Sequence, residues 1–144
     1  MKPLFTLSCA LTIVLLSMSA ALAQDRSFEE RETFRRLVSI QMVESLESPL
    51  ATIRQQTLKN AIVFGTLYPE RVDFSSTVRA IARAAEHDAS SSNRRLAVAA
   101  LRAIGSYRAN QVLAELQAMP DTEYRAVVAG VLSEYHRSDL TGSL

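Results

Sequence analysis

Two histidines, His87 and His136, are the residues of this chain best suited to proton transfer or metal ligation, and each stands among acids. Glu86-His87-Asp88 and Glu134-x-His136 supply the right atoms. Consecutive residues on a helix point in different directions, however, so neither cluster converges without a side chain from elsewhere. The expectation is no metal site, with both clusters read as solvated residues near helix ends. No Gly-rich phosphate loop, nucleophile elbow or His-Glu-x-x-His motif occurs. Ser90-Ser91-Ser92 reads as a turn rather than a set of nucleophiles. The acids are scattered singly, with no local pair in an apolar setting that would split its pKa values. No base–nucleophile constellation can be named, so the chain is expected to have no catalytic residues and no cofactor. An enzyme whose site joins His87 or His136 to distant acids is kept as an alternative.

Binding chemistry is better represented. Arg79 and Arg83 are four residues apart and share one face of a helix expected over 73–87, with Ser76 and Glu86 on the same side. Gln111 and Glu115 take the corresponding outward positions on a helix expected over 109–119. These four, Arg79, Arg83, Gln111 and Glu115, form the candidate partner-binding groove, suited to an acidic peptide or a helix of a partner protein. The plainer reading is a solvated face with an Arg83–Glu86 pair worth little.

The elements that would carry these residues are helices. Nothing beyond the N-terminal segment alternates with period two for long, and prolines 49, 69 and 120 and glycines 65, 105, 130 and 142 fall sparsely along the chain. A first helix is expected from a Ser27/Glu30 capping box, with Phe34, Leu37, Val38, Met42, Val43 and Leu46 at helical spacing. Ile40 and Val43 widen that arc, which implies broad coverage by neighbours. Ser48-Pro49 is expected to open the second helix, with Leu50, Ile53, Ala61, Phe64 and Leu67 on its inner side, broadened by Leu58 and Ile62. Asp73 caps the third, whose stripe is Phe74, Val78, Ile81 and Ala85. Helix 94–104 is alanine-rich and closes at Gly105 in the left-handed conformation. Val112, Leu113 and Leu116 mark the fifth helix, and Tyr124, Val127, Val128, Val131, Leu132 and Tyr135 the sixth. The expected pairing is 49–67 with 73–87, then 93–104 with 109–119, then 121–136.

The ends and the composition narrow the setting. Lys2, the apolar run Leu11–Leu16 and Ala21-Leu22-Ala23 before polar Gln24 have the layout of a secretory signal peptide over 1–23, cleaved after Ala23. The protein is thus expected to be exported, periplasmic or secreted, with no stable membrane span after cleavage. Retention of the apolar segment as an anchor for an accessory or regulatory domain is the alternative. Cys9 precedes the apolar core and reads as a small residue of a discarded peptide. Cleavage removes Lys2 and leaves 15 basic against 15 acidic residues and no cysteine. Balanced charge and export argue against a nucleic-acid partner. No disulfide can staple the fold, so helix packing alone must hold it.

One internal recurrence organises these helices. Residues 53–65, Ile-Arg-Gln-Gln-Thr-Leu-Lys-Asn-Ala-Ile-Val-Phe-Gly, lie over residues 93–105, Asn-Arg-Arg-Leu-Ala-Val-Ala-Ala-Leu-Arg-Ala-Ile-Gly, at a shift of 40. A third copy follows Arg94 by 31 residues, at Arg125, and lacks the glycine, with Tyr135-His136 in its place. Periods of this size mark stacked helical units that bury each other's apolar faces. The pattern at 93–105, an arginine near the start, alanine three on, an Ala-Leu pair, then Ile-Gly, resembles the HEAT-like repeats, in particular the short kind also found in phycobilin lyases. The resemblance covers about residues 49–136. It implies an all-α, short right-handed α-solenoid of about six helices built from helical hairpins. The resulting organisation is an N-terminal helix over 24–47, a repeat domain over 48–137 and a flexible tail over 138–144. It also implies binding through the second helix of each pair, which places the Arg79 groove on the inner curve. Lyase chemistry does not carry over, since no chromophore-handling motif is present. The expected function is an exported, non-catalytic scaffold for a protein or peptide partner.

Overall fold

The computed structural model describes residues 27–120 and 122–141, with side chains placed through 120 and over 125–134. The segment read as a signal peptide, with Cys9 and Ala23, lies outside the described residues. The chain divides into two compact units, Met1–Phe34 and Arg35–Leu144. In the first, residues 27–34 are helical, Arg31 Nε donates to Ser27 O at 3.1 Å, and Phe28 and Phe34 are exposed.

Among the described residues the fold is all-α, with six α-helices and no strand. They are α1 (27–46), α2 (Ala51–Leu67), α3 (Phe74–His87), α4 (Ser91–Ile104), α5 (Tyr107–Ala118) and α6 (Thr122–Thr141), with one 3₁₀ turn, Pro69–Arg71, between α2 and α3. Local chemistry sets most boundaries. Asp73 accepts from Ser75 N at 3.0 Å, Ser90 from Asn93 N at 3.4 Å and Ser106 from Ala109 N at 3.2 Å, so α3, α4 and α5 each begin on a side-chain cap. Gly105 closes α4 with φ at +60°, a conformation that costs a Cβ-bearing residue about 1 kcal/mol or more.

Four boundaries differ from the sequence expectation. Helix α4 begins at Ser91, so Ser91 and Ser92 are helical and not a turn, and α5 begins at Tyr107 rather than 109. Pro49 does not open α2: the cap position is Leu50, because Arg54 Nη1 takes the carbonyls of Ser48 (2.7 Å) and Pro49 (3.1 Å). Helix α6 continues through the polar stretch from 138 as far as Thr141.

The core of the second unit centres on α4, which packs against α2, α3, α5 and α6. Ala97, Val98, Ala100 and Leu101 are fully buried there. Small residues suit a helix that is covered on several sides, since they let its neighbours come close. Leu58 and Ala61 of α2, Val78, Ile81 and Ala85 of α3, Leu116 of α5 and Val128 of α6 complete this core.

The expected partnering of 49–67 with 73–87 is not what forms: α2 and α3 barely meet, and α2 lies on α4 instead. Their N-terminal ends are tied by Asn93 Nδ2 to Ala51 O (3.1 Å) and by Arg54 to Asp88. At their C-terminal ends a Cβ on Gly65 would stand 2.9 Å from Ile104 N. The two helices therefore run parallel. Helices α1 and α3 are related likewise: Ser39 Oγ bonds Ser76 Oγ (2.8 Å) and Thr77 Oγ1 (3.0 Å), and Glu47 meets Arg83 further along both. Contacts 34 to 42 residues apart in sequence thus join α1 to α3 and α2 to α4. The close antiparallel neighbours are α3 and α4, linked by three residues, so the layer is α3–α4 rather than α2–α3.

That arrangement leaves apolar surface where coverage was expected. Met42 and Leu46 of α1 are buried, but Leu37 and Ile40 are exposed. On α2 the buried residues are Thr57, Leu58, Ala61 and Gly65, while Leu50, Ile53 and Leu67 face water. The buried side of α2 is set by the small residues Ala61 and Gly65, which allow contact with α4, not by the largest apolar ones.

Candidate functional site

Helix α3 positions the candidate residues. Its apolar stripe, Phe74, Val78, Ile81 and Ala85, is buried as the spacing requires, which turns Arg79 and Arg83 outward. Ala80 and Ala84 lie beside them at small, buried positions. A cleft of about 440 Å³ runs along α3 beside Ala80, lined by Val43 from α1, Ser75, Ser76, Arg79 and Arg83 from α3, and Arg108 from α5. A second cleft of about 270 Å³ shares Ala80 and Arg83 and continues past Leu46 and Glu47 to His87 and Asp88.

Three guanidinium groups thus line one depression. Arg83 Nη2 donates to Glu47 Oε1 at 2.9 Å, with the two side chains 55% and 62% exposed. Among the described residues Arg79 and Arg108 have no carboxylate partner. The hydroxyl of Ser76 is engaged by Ser39, so the polar wall near it is already satisfied. The cleft offers strong, forked donors and hardly any acceptors, which suits carboxylate or another oxyanion.

Of the four residues read from sequence, Arg79 and Arg83 come together here. Gln111 and Glu115 do not line either cleft; Gln111 Nε2 donates to Glu115 Oε1 at 3.3 Å along α5. The Arg83–Glu86 pair is not made, since Glu86 pairs with His87 Nε2 at 3.3 Å and Arg83 with Glu47. Arg108 falls outside the helix that the sequence predicts over 109–119, since α5 begins at Tyr107. The missed signal was Ser106 after Gly105, a cap that begins the helix at Tyr107 and brings Arg108 onto it.

The Glu86-His87-Asp88 cluster does not converge as three ligands. His87 is exposed, and the neighbouring Asp88 carboxylate is buried and holds Arg54 through Nε–Oδ2 (2.7 Å) and Nη2–Oδ1 (3.1 Å). It also accepts from Ser90 N (2.9 Å) and Asn93 Nδ2 (3.2 Å). The Arg54 hydrogen bond, ahead of the Ser90 and Asn93 bonds, holds the Asp88 carboxyl below the usual carboxylate range despite burial. The side chain of His136 lies outside the described residues. Among the described residues no three of His, Cys, Asp and Glu gather as a metal would require, and no helix is long and apolar enough to cross a membrane.

No family model matches the chain, and no curated protein or solved structure is detectably similar to it.

Proposed function

We propose that the protein is an exported, non-catalytic helical-repeat scaffold of the HEAT-like kind, a short right-handed α-solenoid, that binds an acidic segment of a partner protein through the arginine cleft of α3 and α5. The repeat reading is supported by equivalent contacts 40 residues apart. Arg54 Nη1 donates to Ser48 O at 2.7 Å, and Arg94 Nη1 donates to Asp88 O at 2.7 Å, each reaching six residues back. The parallel α1/α3 and α2/α4 relations are those of successive layers in a stack. With layers framed as α1–α2, α3–α4 and α5–α6, the cleft belongs to the first helix of each pair. Its assignment therefore rests on the arginines themselves and not on the family's usual binding side.

The observation that carries the function is that Arg79, Arg83 and Arg108 line one cleft, with two of them lacking any acidic partner among the described residues. Exposed arginines of one sign held together repel each other until an anion arrives, which favours an acidic ligand. The test is fluorescence anisotropy of a labelled ten-glutamate peptide with the full chain. Binding should weaken as salt rises and fall at least about tenfold in an Arg79→Glu/Arg108→Glu double variant. Equal binding by that variant, or none by the unaltered protein, overturns the reading. Export is supported by the N-terminal sequence alone, and an exported product beginning at Gln24 is its check.

A further inference from the structure

Two arginine–carboxylate pairs line the smaller cleft, and they are built differently. Arg54–Asp88 is forked, and the Asp88 side chain is 1% exposed and receives two further donors. Arg83–Glu47 has a single short contact between two side chains that are more than half exposed. Glu47 also sits just past α1, its amide bonded to the Val43 and Glu44 carbonyls, at the helix end where a negative charge is disfavoured. The first pair is a permanent fixture. The second is weak and open to exchange, since exposed pairs of this kind contribute little.

Arg83 lines both clefts, so its guanidinium has two places to go. We propose that Glu47 is a built-in competitor of the acidic ligand: its carboxylate holds Arg83 in the free protein, and an incoming acidic segment displaces it to take Arg79, Arg83 and Arg108 together. This rests on the acidic-segment reading above and adds regulation to it. Glu47 lowers the affinity for isolated carboxylates, which must compete one for one. A segment with several acids gains Arg79 and Arg108 as well, which hold no carboxylate among the described residues. The device thereby selects clustered acids over single ones.

The experiment compares the full-chain protein with Glu47→Gln, Glu44→Gln, Arg83→Gln and the Glu47→Gln/Arg83→Gln pair, each checked for helicity by circular dichroism. The probe is the labelled ten-glutamate peptide. Glu47→Gln should tighten binding by about threefold, the scale of an exposed ion pair. Glu44→Gln removes the same charge one turn earlier on α1 and should change binding far less. The gain from Glu47→Gln should vanish when Arg83 is already glutamine. If Glu47→Gln behaves like Glu44→Gln, or tightens binding equally without Arg83, the competitor role is overturned while the acidic-segment reading stands. If the unaltered protein and Glu47→Gln both fail to bind the peptide, both fall.

Discussion

Arg54 Nε lies 2.7 Å from Asp88 Oδ2, and Nη2 lies 3.1 Å from Oδ1, so one guanidinium grips one carboxylate across 34 residues of sequence. The same arginine reaches back to Ser48 O, closing the turn that precedes its own helix. It thus joins the start of α2 to the link between α3 and α4. Asn93, buried at the start of α4, completes the joint by donating to both Asp88 and Ala51 O. A planar fork with fixed donor directions suits this task better than a flexible ammonium.

Asp88→Ala should therefore destabilise the fold by about 2–4 kcal/mol, because it strands the Ser90 amide, the Asn93 amide and a guanidinium together. Asp88→Asn should cost less, as it keeps an acceptor in place. Urea unfolding followed by circular dichroism measures both. A shift in midpoint for Asp88→Ala no larger than that of an ordinary surface substitution would show that the joint does not hold the helices in register.

The acid limb of stability follows from the same group. The folded pKa of Asp88 is lowered, chiefly by the Arg54 hydrogen bond, and that of Asp73 is lowered, chiefly by the Ser75 backbone amide and then its hydroxyl. The unfolded chain then takes up protons before the folded one does. Their contribution is complete above the ordinary carboxylate value of about 4 and is lost as pH falls through the lowered folded values. Unfolding free energy should be flat above about pH 5 with respect to these groups and should decline below about pH 4. Asp88→Asn should flatten that decline. Stability that rises on acidification through this range would contradict the assignment.

The helices themselves were legible because caps and periodicity agree: Asp73 before Phe74 and Gly105 after Ile104 act where the sequence places them, while Ser90 is singled out as the α4 cap only by the structure. The pairing of helices was not. The turn around Pro69 looks like a hairpin link, but adjacency along the chain does not say which faces meet. On α2, Leu50, Ile53 and Leu67 outweigh Ala61 and Gly65 in hydrophobicity, yet close approach to α4 is decided by small size, which a hydrophobic count does not reward. Arg79 and Arg83 were readable from four-residue spacing on one helix. Arg108 and Glu47 were not, because each belongs to a different helix or turn and joins the site only through the packing of α1 and α5 beside α3.

Two glycines inside helices carry a separate prediction, since their surroundings differ. Gly65 lies inside α2, where a Cβ would stand 2.9 Å from Ile104 N and 3.0 Å from Ala103 C, both backbone atoms of α4. Gly65→Ala should destabilise by about 1–3 kcal/mol, outweighing the helix-propensity gain. Gly130 in α6 has nothing within 4 Å of the same added carbon, so Gly130→Ala should stabilise by about 0.5–1 kcal/mol. Thermal unfolding of the two variants should shift in opposite directions. A stabilising Gly65→Ala would mean that α2 and α4 do not approach as closely as described.

Two leucines test whether α4 is the centre of the core. Leu101 is fully buried in that helix, while Leu67 at the end of α2 is 62% exposed. Leu101→Ala should cost about 2–5 kcal/mol, because α4 is packed on several sides and the space left behind cannot close without moving more than one neighbour. Leu67→Ala should stay within about 0.5 kcal/mol of the parent. The same pair separates the observed packing from the one expected from hydrophobicity alone, in which Leu67 belongs to the inner side of α2. Comparable losses at both positions, measured as urea midpoints at constant slope, would return Leu67 to the core and undo the account of α2 given by Ala61 and Gly65.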